Sequence, residues 1–158
     1  MPEFDAQTFK DYFYGRFALS NHWQAFEPVA KYLNTLKADQ RFHHLFSILQ
    51  DVHQRPYEFQ KVAAGLMMKV DAACPVDVGE AALPVLDTID LSVQEFPFFL
   101  AKRHGRDRVL DDLGALSSPA LSDPQRKRLD SKPLTSAHRN PASLGWVGGR
   151  LVRLAQAA

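Results

Sequence analysis

Along this chain apolar residues recur at spacings of three and four, with polar residues between them, and that period belongs to an amphipathic helix. The first such stretch carries Phe9, Tyr12, Phe13 and Phe17 behind Asp5, a residue type that accepts hydrogen bonds from the free amides of a first turn. Asn21 is placed to cap a second helix, whose Trp23, Phe26, Val29, Ala30, Leu33 and Leu36 share a face. Pro28 lies inside that helix and predicts a kink or two shorter helices, because proline lacks an amide donor and crowds the preceding turn. The pattern is clearest after Asp39, read as a cap, where Phe42, Leu45, Phe46, Leu49 and Val52 form one inward stripe. Pro56 suits the first position of the next helix, with Phe59, Ala63, Leu66, Met67 and Val70 inward and Cys74 and Pro75 at its end. Gly65 within it suggests a close helix crossing.

In the second half, Asp77 and Glu80 open VGEAALPVLDTI, which again contains a proline, Pro84. The stretch LSVQEFPFFLAKRHGRD follows. Ser92 and Glu95 have capping-box spacing, Leu91 and Phe96 are placed as a staple, and Gly105 is the natural stop behind Lys102, Arg103 and His104. With Ser92 as cap, Pro97 would forfeit a helical bond, so either an irregular first turn or a shifted start is expected. Either outcome turns Phe98 and Phe99 to different sides. Asp107 is placed to cap a short helix carrying Val109, Leu110, Leu113 and Leu116. Residues 117–140 are rich in Ser, Pro and charge and read as a surface excursion, with one short helix at Asp123 and Pro124. Asn140 and Pro141 then open a closing helix over 141–157, built on Leu144, Val147, Leu151 and Leu154 and weakened by Gly145, Gly148 and Gly149.

No alternating apolar and polar runs bounded by hairpin turns are evident, and β-branched residues are sparse. The expected fold is therefore all-α, a compact or solenoid-like array of about seven to nine short helices in antiparallel hairpins. It is expected to form one domain over 1–158. Similar proline-valine openings at Pro28 and Pro84 hint at a helical repeat without establishing one.

Composition narrows the function classes. The chain has 158 residues, of which 46% are hydrophobic, enough for one sizeable core. Lys and Arg number 19 against 18 Asp and Glu, so the total carries no nucleic-acid or membrane footprint. A lone cysteine, Cys74, excludes an internal disulfide. With no signal-peptide pattern and no long apolar run, a cytoplasmic protein that does not engage a membrane is expected.

Candidate chemistry is sparse. His43, His44 and His104 have no metal-ligand or metalloprotease spacing; the first two read as surface residues and the third as a charge favoured near a helix end. Cys74 precedes a proline at a helix end, where no thiolate is stabilised. No glycine run has a phosphate-cradle context, and Asp111, Asp112 and Glu95 read as readily as a solvated face. No catalytic residue, metal or cofactor is assigned. The run Arg126, Lys127 and Arg128 makes the last third basic; it reads first as a solvated surface, and as a contact it suits an acidic protein better than nucleic acid, since no nucleic-acid motif accompanies it. Aromatics crowd the amino-terminal region, and Tyr12, Phe13 and Tyr14 point three ways around one helix. Tyr12, Tyr14, Phe98, Phe99, Arg126, Lys127 and Arg128 are therefore the candidate protein-contact residues. The expected function is a helical interaction module, repeat-like in build: an adaptor, an inhibitor or an immunity-type protein that binds a protein partner or another copy of itself. The alternatives are an enzyme, small-ligand or metal binder with a pocket between helices, and a nucleic-acid accessory protein using Arg126 to Arg153.

Overall fold

The computed structural model describes residues 5–19, 22–52, 56–90, 92–115, 145–147 and 150–152. Seven α-helices lie among them: α1 (Ala6–Leu19), α2 (His22–Leu33), α3 (Ala38–Leu49), α4 (Pro56–Lys69), α5 (Val78–Ala82), α6 (Glu95–His104) and α7 (Arg106–Ala115). A 3-10 turn, Leu83–Val85, continues α5, and strands β1 (Gly145–Val147) and β2 (Arg150–Val152) pair antiparallel. The fold is all-α, as the periodicity predicts, with this one short ribbon against α6 and α7.

Long-range contacts set the directions of the helices. Arg41, near the start of α3, bonds the Val70 carbonyl just past α4, while Gln60, near the start of α4, bonds the Leu49 carbonyl at the end of α3. The two helices are therefore antiparallel. Phe99 stacks on Phe42 and Phe96 lies near Phe46, so α6 also runs against α3. On α1, Phe9 meets His44 and Tyr14 meets Asp51, which sets α1 parallel to α3. One hydrophobic cluster joins all of them, with Phe9, Phe13, Phe42, Phe96 and Phe99 among its largest fully buried side chains. Contacts run between sequence neighbours, as in α3–α4 and α6–α7, and also skip an element, as in α1–α3, α2–α4 and α4–α6.

Several helix ends follow the local sequence. Asp5 accepts from the Thr8 amide at 2.7 Å and Asp77 from the Glu80 amide at 2.8 Å, each satisfying a first-turn donor. That backbone hydrogen bond, with others from the same turn, holds the Asp5 carboxyl below its ordinary pKa of 3.8. Pro56 is the first residue of α4, and Gly105 ends α6 at φ 85.

Other ends differ from expectation. Asp39 is not the cap of α3: Lys37 holds that position, its amide donating to Gln40 Oε1 at 3.0 Å, and Asp39 sits inside the first turn. Asp107 likewise lies inside α7, because Gly105 already breaks the chain. Helix α4 stops at Lys69, well before Cys74. Asp71 takes the left-handed conformation at φ 52, and the Ala72 amide returns to the Met67 carbonyl at 3.0 Å, closing the helix with a Schellman bond. Helix α2 runs through Pro28 as a single element. Pro84 confines its segment to five α-helical residues and the 3-10 turn. Gly65 marks no close crossing, since a Cβ there would meet nothing within 4 Å.

Pro97 is accommodated by a shifted start. The cap of α6 is Gln94, not Ser92, whose amide donates to Asp90 Oδ1 at 2.8 Å. Pro97 is then the third helical residue, where an amide has no helical acceptor to lose. Phe99 is fully buried and Phe98 half-buried, on different sides as expected.

The closing helix is corrected by the ribbon, which occupies the described part of 141–157. Glycine at 145, 148 and 149 costs a helix about 1 kcal/mol per interior position, which disfavours the closing helix. Asn21, Leu91, Leu116 and the 117–140 excursion lie outside the described residues.

Candidate interaction surface

Among the described residues, the sequence-derived contact residues do not form one patch. Tyr12 is half-buried, with its ring edge-on to Tyr32 at 5.9 Å and the Arg16 guanidinium 5.4 Å from its centre. Tyr14, on another side of α1, packs edge-on to Phe59 at 5.0 Å and donates its hydroxyl to Asp51 Oδ2 at 2.8 Å. Burial first, and then the hydrogen bond to Asp51, push its phenol well above the ordinary value. Lys10 Nζ lies 3.7 Å from the same Asp51 oxygen. Tyr14 is thus an anchored ring at an edge, joining α1 to the end of α3.

Phe99 is corrected from contact surface to core. It is 0% exposed, stacked on Phe42 at 6.0 Å and Phe96 at 6.4 Å, with the Arg103 guanidinium 5.9 Å from its ring centre. Phe98 keeps a partly open side. Arg126, Lys127 and Arg128 lie outside the described residues.

Sequence reading missed the most open apolar residues. Among the described residues, the exposed large hydrophobics are Val52, at 86%, and Tyr57, at 37%. Val52 was expected on the inward stripe of α3, but that helix ends at Leu49 and the stripe ends with it. The approach of Pro56 was the available signal, because a helix usually closes before a proline. Tyr57 is the second residue of α4, and Lys61 Nζ stands 5.6 Å from its ring centre. Lys61 also lies 3.9 Å from Glu95 Oε1, tying this corner to α6. One end of the α3–α4 hairpin therefore presents Val52 and Tyr57 between two ion pairs, Lys10–Asp51 and Lys61–Glu95.

Polar groups elsewhere are mostly consumed by structure. Gln60 is 1% exposed; its Nε2 donates to the Leu49 carbonyl at 3.2 Å and the Thr88 carbonyl at 2.8 Å, and its Oε1 accepts from the Asp90 amide at 2.7 Å. His43 is exposed, whereas His44, expected at the surface, is buried 4.8 Å from the Phe9 ring. Cys74 is half-buried with Sγ 3.5 Å from the Val76 carbonyl, and burial raises its thiol pKa, the opposite of an activated nucleophile. His104 titrates below its ordinary 6.5, chiefly through burial and then through Arg108. Among the described residues no group of three or more His, Cys, Asp and Glu is placed to hold a metal ion, and no helix is long and apolar enough to cross a membrane. No known family model, curated protein or solved structure matches this chain.

Proposed function

We propose that this protein is a helical protein-binding module, of the adaptor, inhibitor or immunity kind, that receives its partner at the Val52–Tyr57 end of the α3–α4 hairpin. The observation that carries the reading is the exposure of Val52, at 86%, and of Tyr57 at the same end of the hairpin, on a body that buries its other large described hydrophobics at least in part. Such a site suits a contact centre: tyrosine is enriched where binding energy concentrates, and the flanking charges form a rim. Tyr14 stiffens the corner by fixing Asp51, so little order has to be imposed when a partner docks.

Affinity capture from the source cell, comparing the native chain with Val52→Asp and Tyr57→Ala, tests the reading. Both variants are expected to keep the native helical circular dichroism and to lose a partner that the native chain retains, each by about tenfold or more in affinity. A partner held equally by all three proteins would overturn it.

A further inference from the structure

The opposite end of the α3–α4 hairpin has a different chemistry. Helices α2, α4 and α6 all finish there, where the carbonyl ends of helices favour positive charge. Their last turns supply Lys31, Lys69, Lys102 and Arg103, and Arg41 bonds the terminal carbonyls of α2 and α4. Lys37, the cap of α3, adds a sixth cation, and four carboxylates lie at this end: Glu27, paired with Lys69; Asp71, paired with Arg103 at 2.5 Å and Lys102 at 3.5 Å; Asp39, in the first turn of α3; and Asp77, near His104. Between α2 and α4 lies an open groove of about 510 Å³, lined by Glu27, Pro28, Ala30, Lys31 and Asn34 of the α2 side and by Lys69 of α4. Its walls are largely carbon, from the exposed Pro28 ring and the lysine stems, with Ala30 buried beneath them.

We propose that this groove is a second docking site, separate from the Val52–Tyr57 end, and that it takes an acidic amphipathic peptide segment of a partner protein. An apolar side chain of the peptide lies on Pro28 and the stems of Lys31 and Lys69. Peptide carboxylates reach Lys31 and displace Glu27 from Lys69. Charge complementarity selects the acidic segment, because the charged lining of the groove is two lysines, Lys31 and Lys69, against one carboxylate, Glu27. The same interleaving disfavours a nucleic-acid strand: the Glu27 side chain, 72% exposed, stands in the path of a continuous row of phosphates, whereas a peptide can space its carboxylates around it.

The test uses fluorescence anisotropy with the full chain and four labelled probes: short peptides of Glu and Leu, of Glu and Ser, and of Lys and Leu, and a single-stranded oligothymidylate. The Glu/Leu peptide is expected to bind best and to weaken as salt rises. Lys31→Glu should lower its affinity by about tenfold, and Val52→Asp should leave it unchanged. Equal binding of the Lys/Leu peptide, or no response to Lys31→Glu in a variant with native circular dichroism, would overturn the proposal. Tighter binding of the oligothymidylate would also overturn it, in favour of a polyanion surface. Because Val52→Asp is scored separately, failure here and failure of the Val52–Tyr57 reading are distinguishable.

Discussion

Arg41 and Gln60 do similar work at opposite ends of the α3–α4 hairpin, with different chemistry. Each gathers backbone groups at helix ends and in the turns beside them. Arg41 donates Nε to the Leu33 and Leu36 carbonyls at 3.1 and 3.0 Å, Nη1 to Val70 at 2.6 Å and Nη2 to Asn34 at 3.4 Å. Gln60 both donates and accepts, binding two carbonyls and one amide. The difference follows water. Arg41 is half-buried, so its guanidinium keeps part of its hydration while saturating carbonyls, whereas Gln60 is 1% exposed, where a charge would be costly and a neutral amide is not. A charged clamp serves at the rim, and a neutral one is needed inside.

The strongest way to break this comparison is Gln60→Glu. At neutral pH the new carboxylate would face the Leu49 and Thr88 carbonyls in a buried site, and a loss of about 3 kcal/mol is expected in urea unfolding. Burial raises the folded pKa of such an acid above its unfolded value. The deficit should therefore grow as pH rises through the unfolded carboxyl range and shrink in acid. An equal deficit at both pH values would show that site 60 tolerates charge.

Arg41→Met sharpens the other side. The methionine covers similar area but leaves the ends of α2 and α4 to water, and about 2 kcal/mol should be lost, since the carbonyls are only partly shielded. A larger loss than for Gln60→Glu would reverse the assignment of which clamp is the more demanding.

The smallest effect concerns a nitrogen that neither clamp reaches. His104 Nε2 is buried without a hydrogen-bond partner among the described residues, near Arg108 and with Asp112 and Asp77 opposing. Its folded pKa lies below 6.5, so the unfolded chain binds the proton more readily. Stability from this group is complete above 6.5 and falls as pH drops through the depressed folded value. His104→Leu should change the melting temperature little at pH 8 and reduce its decline between pH 7 and 5. An unchanged decline would remove His104 as its source.

What was legible in the sequence was local. Asp5, Asp77, Pro56 and Gly105 act on amides or dihedrals within a turn of themselves, and the stripe of Phe9, Phe13 and Phe17 needs only a helical period. What was not legible depends on distant partners. The Arg41 bond to Val70 spans 29 residues and the Gln60 bond to Thr88 spans 28, and no local pattern announces either. The end of α4 at Asp71 was hidden because a non-glycine residue takes the left-handed turn there, with two cations of α6 on its side chain. The candidate surface was hidden for the converse reason. Val52 fits the stripe of α3 by spacing, and only the early end of that helix puts it outside.

Arg41 touches two helices with one planar group, which couples their motions. Fraying the last turn of α2 strands the nitrogens that hold Val70, and fraying α4 frees the group that holds Leu33. The two ends should exchange their amide protons as one cooperative unit, although they lie more than thirty residues apart in the chain, from Leu33 to Val70.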